Sequence, residues 1–279
     1  MVRLILDQIL GIYDRLSETE KKVASYVLEK PDDVIHYSIT EFSKIVQVSE
    51  TSIFRFVRKL GFDGYQDFKI ELTKQISGMR ASEEYSESET LNEYIAEIKS
   101  LVERLGRTLD EKALDKVSDL IISSRKVIFF GVGLSSVAAE YGSLLLSVLG
   151  IPAFCYNDPH MQVTVATGLN EHDLVISVSH SGNIRDTVKS TQVARDVGAK
   201  TVAITAGINS PLSKVAEITL YSPVARFEKY EFLRGNLGEI AVVEIVFRMV
   251  LNKIFASKKK HLEELSQVLK PKKYEGGEE

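Results

Sequence analysis

Two short segments rich in glycine and serine contain the residues of this sequence best suited to binding chemistry. They are residues 131–136 (GVGLSS) and 179–183 (SHSGN), and each follows a strongly apolar run. Glycine permits a tight turn, serine hydroxyls can donate hydrogen bonds, and the helix predicted after each segment would direct its amides at an anion. Neither segment contains lysine or arginine. This composition favours a phosphate monoester on a small polar molecule over a nucleoside triphosphate with magnesium.

The first segment also matches part of a dinucleotide-binding fingerprint. Gly131 and Gly133 fit the pattern G-x-G-x-x-G, and Asp158 follows the next predicted strand. However, Ser136 stands where the third glycine is required, and a nicotinamide site would leave residues 179–183 unexplained. A third interpretation is that the serines of both segments only cap helices. We prefer the phosphate site. Since no spacing of histidine and aspartate indicates a metal, we expect neither metal nor cofactor.

A second group of residues indicates contact with DNA. Residues 40–46, capped by Thr40, and residues 50–60 have apolar side chains at helical spacing, and a short turn separates them. Helix, short turn and helix is the arrangement of a DNA-reading unit. The predicted core of the second helix consists of Ile53, Phe54, Val57 and Leu60. The predicted DNA-binding residues, which are its cap and its outward side chains, are Ser49, Thr51, Ser52, Arg55, Arg58 and Lys59.

The outward side chains have chemistry that suits DNA. Arg55 can donate to the O6 and N7 atoms of guanine or to a phosphate, while Arg58 and Lys59 suit the sugar–phosphate backbone. Residues 49–60 contain three cationic residues and one carboxylate, although residues 1–77 have 11 Lys/Arg against 12 Asp/Glu. Because DNA-binding domains are usually basic, a plain three-helix bundle with solvated charges stays open as the alternative.

The composition is that of a globular protein long enough for two domains. The chain has 279 residues, 44% hydrophobic and 27% charged, with a net charge of −4. Any contact with nucleic acid or an anionic membrane must therefore be local. A single cysteine, Cys155, excludes an internal disulfide. No long apolar segment occurs, and Asp7 and Asp14 interrupt the start, so we predict a cytoplasmic protein without signal peptide or membrane span.

The period of the apolar residues changes along the chain. Up to residue 77 it is helical, whereas beyond residue 111 five strand-like runs alternate with helices. This alternation predicts a parallel sheet covered by helices on both faces. A long final helix is predicted over 232–255. The predicted strands are 126–130, 151–156, 173–178, 200–205 and 217–221.

These patterns predict four regions. A helix-turn-helix domain over 1–77 is followed by a linker and connecting helix over 78–110, and a sheet domain over 111–257 precedes a charged, frayed tail over 258–279. The connecting helix, 91–105, is expected to dock on the second domain through an apolar stripe. The members of that stripe are Leu91, Tyr94, Ile95, Ile98, Leu101, Val102 and Leu105.

The N-terminal region contains the run LSETEKKVASYVLEKPDDV and, further on, the more specific run VSETSIFRFVRKLGFDGYQDFK. Over residues 13–75 these resemble the N-terminal domain of the RpiR family of bacterial transcriptional regulators. Ser43 stands where the family usually has alanine, and serine is small enough to fit there. That family reads DNA with the second helix of the motif. The resemblance therefore implies this role for the outward side chains of residues 49–60.

The runs GVGLSS, SHSGNIRDTV and GAKTVAIT, with NSPLSKVAE after them, are similar to those of the sugar isomerase (SIS) domain over about residues 112–255. An SIS domain behind the N-terminal domain is the RpiR architecture. The resemblance implies an all-α helix-turn-helix domain followed by an α/β, SIS-like domain whose five-stranded parallel sheet is flanked by helices. The phosphosugar-binding residues that it implies, or that lie beside them, are Gly133, Ser135, Ser136, Ser179, His180, Ser181, Gly182, Asn183 and Thr187.

Two positions depart from the family pattern and leave the identity of the phosphosugar open. Ile184 stands where the family usually has a phosphate-binding threonine, and Gly235-Asn236 replaces the usual serine–arginine pair. Asn183 or Thr187 could supply the hydroxyl or amide contact that Ile184 lacks.

Residue spacing does not indicate catalysis. No candidate base has a paired partner visible in the sequence. These candidates are His160, His180, Glu228, Glu231 and Glu239. We expect Glu239 and Glu244 on the last helix to be interface or solvated positions.

We therefore predict a DNA-binding transcriptional regulator, not an enzyme, whose SIS domain senses a phosphorylated sugar and modulates operator binding. The alternative is a sugar-phosphate isomerase with an accessory helical domain. The expected partners are operator DNA, a phosphosugar effector and further copies of the chain, as homodimer or tetramer, since tight recognition normally needs two half-sites. No membrane partner is expected.

Overall fold

The computed structural model describes residues 5–81, 90–223 and 235–270. The N-terminal helices are α1 (Ile5–Ile12), α2 (Glu18–Glu29), α3 (Pro31–Val34), α4 (Ile39–Val46), α5 (Glu50–Lys59) and α6 (Tyr65–Ala81). Three aromatic rings, Phe42, Tyr65 and Phe68, are buried and stack one upon the next. Because these rings come from α4 and α6, they anchor the predicted helix-turn-helix, α4 and α5, on the bundle.

Two local features of the helix-turn-helix differ from the prediction. Ser38, not Thr40, caps α4: its hydroxyl accepts from the Glu41 amide, and the Glu41 carboxylate accepts from the Ser38 amide. In α5, Phe56 is buried and Phe54 is 45% exposed, so the assignment of Phe54 to the core is wrong. Either phenylalanine fits an apolar helical stripe, and the packing of α5 against α2 and α6 selects Phe56.

The connecting helix, α7 (Leu91–Thr108), packs mainly on α1 and touches the last helix. Arg104 donates to both oxygens of the buried Asp7 carboxylate, at 2.5 and 2.8 Å. The prediction that α7 docks on the second domain through its whole apolar stripe is wrong, because it packs mainly on α1 and only Leu101 and Leu105 of the stripe are buried. The remaining members are 40–73% exposed, namely Leu91, Tyr94, Ile95, Ile98 and Val102.

The second region is the predicted α/β fold. Its strands are β1 (Lys126–Phe130), β2 (Ala153–Tyr156), β3 (Asp173–Val178), β4 (Lys200–Thr205) and β5 (Ile218–Tyr221). All pair in parallel in the order β2-β1-β3-β4-β5, which confirms a five-stranded parallel sheet flanked by helices. Apolar cores lie on both faces of the sheet. The helices before, between and after the strands are α8 (Glu111–Ser123), α9 (Ser135–Val148), α10 (Pro159–Ala166), α11 (Arg185–Asp196), α12 (Pro211–Val215) and α13 (Leu237–Leu269).

The last helix, α13, extends beyond its predicted end at residue 255. The prediction of a frayed tail from residue 258 is therefore wrong as far as Leu269. Ion pairs one helical turn apart, Lys259–Glu263 and Lys260–Glu264, favour this extension. Residues 232–234, where the helix was predicted to start, and the end of the tail lie outside the described residues. Among the helices described, none combines the length and apolar character needed to span a bilayer.

Candidate functional site

The carboxyl ends of β1 and β3 place the two glycine- and serine-rich segments side by side. The strands are neighbours, with Phe130 opposite Ser177, and the strand order changes direction at this point in the sheet. In open α/β sheets such a point forms the ligand-binding crevice. The amide of His180 donates to the hydroxyl of Ser135 at 3.3 Å, which joins the segments directly.

The crevice suits an anion because glycines allow tight turns there and two helices begin there without side-chain caps. Gly133 and Gly182 adopt left-handed φ angles of +60° and +65°, and a side chain at Gly182 would collide with Ser210. Helices α9 and α11 follow the two segments with Leu134 and Ile184 at their N-caps, and neither receives a side-chain cap. An anion could supply the acceptors that cap residues normally provide.

The hydroxyls predicted to bind the ligand fall into two groups. Ser179 and Thr187 are buried, and within the described chain their hydroxyls have no hydrogen-bond partner. By contrast, the Ser181 hydroxyl accepts from the Asn183 amide at 3.3 Å, and Ser136 donates to a carbonyl of its own turn at 2.7 Å. Ser179 and Thr187 are thus the hydroxyls with the strongest need for a partner, because an unpaired buried polar group is costly.

A buried histidine–carboxylate pair lies beside these segments. His180 Nδ1 is 2.9 Å from Glu239 Oε1, and the hydroxyl of Ser222 donates to the same oxygen at 2.6 Å. The Glu239 side chain is fully buried, whereas that of His180 is 12% exposed. The expectation that Glu239 would be an interface or solvated residue is therefore wrong, and a partner for His180 exists that spacing did not reveal.

One sequence signal could have located Glu239 correctly. It precedes Val242, Val243 and Val246 by three, four and seven residues, which places it on the apolar face of α13. Of the other candidate bases, His160 lies exposed on α10. Glu228 and Glu231 lie outside the described residues.

The exposed face of α5 is the candidate DNA interface. Ser49 caps the helix, Thr51 and Arg55 are exposed, and no ion pair to Arg55 occurs in the described parts of the chain. Ser52 is buried, so its placement among the outward side chains is wrong. It lies on the same side as Phe56, one turn away, where packing encloses it.

Two further cations on this helix are engaged in surface ion pairs. Arg58 contacts Asp63 at 2.8 Å, and Lys59 contacts Glu20 at 3.0 Å. The Arg58–Asp63 pair is exposed on both sides and contributes little stability, so a phosphate could replace the Asp63 carboxylate at small cost, whereas the Glu20 side chain is only 16% exposed. Phe54, which sequence reasoning assigned to the core, is exposed one turn from Thr51 and from Arg58 on the same face.

The loop after β4, residues 206–210, contacts both the crevice and the helical bundle. The Ala206 amide donates to the His180 carbonyl at 2.9 Å. At the other end of the loop, Ile208 packs against the core of the helical bundle. The loop therefore connects the crevice to the helical bundle that includes α5.

Comparison with known proteins gives two family matches. Residues 3–79 match the family model described as a helix-turn-helix domain, rpiR family, and residues 120–247 match the SIS domain. The chain is 30% identical to an uncharacterised HTH-type transcriptional regulator of Caldanaerobacter subterraneus, over 96% of this chain and 98% of that protein. It is 26% identical to the transcriptional regulator HexR of Pseudomonas aeruginosa, over 97% of each chain.

A solved structure has the same fold over nearly the whole chain. It is the NanR protein of Vibrio vulnificus complexed with ManNAc-6P, with a TM-score of 0.62 and 22% identity over 97% of this chain and 100% of that one. The sugar isomerase domain of an RpiR transcription factor from Sphaerobacter thermophilus covers 62% of this chain and 96% of its own, with a TM-score of 0.57 and 22% identity.

Proposed function

The chain belongs to the RpiR family of helix-turn-helix transcriptional regulators, and from this premise we propose that its SIS domain senses a phosphorylated sugar and thereby modulates the binding of operator DNA by α5. It acts in the cytoplasm, without a cofactor, and does not catalyse a reaction. The proposed phosphosugar-binding residues are the nine that the SIS resemblance implies or that lie beside them. The proposed DNA-binding residues are Ser49, Thr51, Arg55, Arg58 and Lys59, and Ser52 is left out because its side chain is buried.

The observation that carries the sensor proposal is the set of unsatisfied groups in the crevice. Two helices begin there without side-chain caps, and the buried hydroxyls of Ser179 and Thr187 have no partner in the described chain. All these groups can donate to phosphate oxygens, and the glycine turns allow close approach. That the similar NanR protein is complexed with a sugar phosphate supports the same ligand class here.

DNA recognition by this chain requires more than one copy. A single recognition helix covers a few base pairs, so two half-sites need at least a homodimer. The exposed apolar face of α7 and the surface of α13 are the surfaces that we propose for assembly as dimer or tetramer. Light scattering at micromolar concentration tests this directly, and a monomeric mass would contradict it.

The function is tested by a gel-shift assay on genomic fragments, with and without a panel of hexose, hexosamine and pentose phosphates. We expect specific binding of one or a few fragments and a change in that binding with one member of the panel. The proposal would be contradicted if the protein bound no fragment selectively. It would also be contradicted if no phosphosugar that binds the protein changed its affinity for DNA.

One observation favours the alternative function, a sugar-phosphate isomerase. His180 Nδ1 and Glu239 Oε1 lie 2.9 Å apart, and an imidazole next to a carboxylate is a pair of groups that can transfer protons in catalysis. The same sugar panel, incubated with the full chain and analysed for aldose–ketose interconversion, separates the two functions. We expect no interconversion above the uncatalysed rate, whereas turnover that Glu239→Gln abolishes would establish the enzyme.

A further inference from the structure

The His180–Glu239 pair presents two atoms that can bind a ligand. Glu239 Oε1 already accepts from His180 and Ser222, whereas Oε2 is buried and has no hydrogen-bond partner in the described chain. His180 Nε2 is likewise buried and without a partner there. No lysine or arginine of the described residues forms an ion pair with Glu239.

In the tautomer that donates Nδ1–H to the Glu239 carboxylate, the neutral ring of His180 has a lone pair on Nε2. Both atoms are then hydrogen-bond acceptors, because a carboxylate oxygen can only accept. Two acceptors at this end of the crevice require O–H or N–H donors from the ligand. The phosphate end has the opposite character, because its amides and hydroxyls donate.

This opposite polarity constrains the ligand at both ends. His180 belongs to residues 179–183, so one of the two acceptors is held on the same loop as donor groups for phosphate. A sugar phosphate with free hydroxyls complements both ends. A sugar acid phosphate does not, because its carboxylate accepts hydrogen bonds and would face the Glu239 carboxylate oxygen, which needs a donor.

We propose that Glu239 and His180 make the effector site selective for a neutral, hydroxyl-bearing sugar phosphate and against the corresponding sugar acid phosphate. This inference rests on the proposed function and specifies its ligand class. Glu239 is the specificity-determining residue, and His180 both contributes an acceptor and holds the carboxylate in place.

Calorimetry on the full chain tests the selectivity with a matched pair of ligands. The tightest aldose phosphate of the panel is compared with the aldonic acid phosphate of the same carbon skeleton, for example glucose 6-phosphate with 6-phosphogluconate. We expect the wild type to prefer the neutral sugar at least about tenfold, the size of one hydrogen bond to a charged group. Glu239→Gln should reduce this preference and bind the acid more tightly than the wild type does.

Glu244→Gln is the matched control. Glu244 lies on the same helix but pairs with Tyr141 and Arg248, so its replacement should leave the preference unchanged. Tighter binding of the acid cannot result from misfolding, which only weakens binding. Should Glu239→Gln fail to fold, His180→Asn should weaken the neutral sugar about tenfold and so reduce the preference for it over the acid.

The outcomes separate this inference from the function on which it rests. A wild type that binds no phosphosugar overturns both. A wild type that binds the neutral sugar and its acid equally, or a Glu239→Gln variant with an unchanged preference, overturns the selectivity alone and leaves the sensor intact.

Discussion

The hydroxyl of Tyr13 donates a hydrogen bond to Asn209 Oδ1 at 2.6 Å and so joins the helical bundle to the loop after β4. The Tyr13 ring also meets Tyr221 edge-on, with centroids 6.3 Å apart. Asn209 has a left-handed φ of 51°, and the loop that contains it bonds to the His180 carbonyl. A shift of residues 179–183 on ligand binding would therefore move a contact of the DNA-binding domain.

Tyr13→Phe should uncouple the two domains in part. The variant deletes only the hydroxyl, so it removes about 0.5–1.5 kcal/mol of coupling and should reduce the effect of the phosphosugar on DNA affinity about threefold to tenfold. Gel-shift titrations with and without the sugar measure this. Tyr65→Phe, which deletes a hydroxyl bonded within the bundle at Tyr37, should leave the effect of the sugar unchanged.

Arg55→Ala and Arg58→Ala should differ in their effects on DNA binding. If Arg55 contacts a guanine, its loss costs about 1–3 kcal/mol of specific binding and relaxes the preference at one base pair. Arg58 is placed for a phosphate, so its loss should weaken all sequences alike and reduce the salt dependence. Affinity measurements on operator and random DNA at several salt concentrations compare them, and unchanged affinity for both variants would exclude α5 as the recognition helix.

Phe54→Ala should impair DNA binding without unfolding the protein. Phe54 is 45% exposed beside Thr51, where an aromatic ring can contact a thymine methyl group, so we expect a loss of about tenfold in operator affinity. Phe56→Ala, two residues away in the core, should instead lower the free energy of unfolding by about 3–5 kcal/mol. Urea unfolding beside the gel-shift assay distinguishes them. An equal loss in the free energy of unfolding for both variants would show that Phe54 belongs to the core.

Ile184→Thr should tighten phosphosugar binding, and Ser181→Ala should weaken it, each about tenfold at most, since one neutral hydrogen bond contributes about 0.5–1.5 kcal/mol. Ile184 is 43% exposed at the uncapped start of α11, where a hydroxyl can reach the anion. Ile184→Val has the shape of the threonine without its hydroxyl and should bind as the wild type does. An improvement in both variants would indicate that the isoleucine obstructs the crevice.

Asp173→Asn should change the dependence of stability on pH. Burial alone would raise the pKa of Asp173, but hydrogen bonds from Arg125 and the Asn170 amide outweigh it, so the pKa is lowered. A carboxyl with a lowered folded-state pKa stabilises the protein above its unfolded pKa, and this contribution is lost as pH falls through the folded value. The variant should be less stable near pH 7 and should lose less stability on acidification, as urea unfolding from neutral to acid pH would measure.

Sequence patterns determine the elements of this protein because those patterns are local. The bounds of β1, β3 and β4 agree with the predicted runs, since continuous apolar segments between amphipathic helices specify buried parallel strands wherever they occur. The glycine- and serine-rich segments likewise predict an anion site from local pattern, because a turn and a helix start are formed by neighbouring residues.

Only the tertiary structure decides which faces are buried and which distant side chains meet. Phe54 and Phe56 fit the helical period almost equally, and the packing of neighbouring helices chooses between them. His180 and Glu239 lie 59 residues apart, and they meet because β3 ends where α13 begins, at the same edge of the sheet. Such contacts depend on the arrangement of whole elements, and the local sequence around either residue does not predict that arrangement.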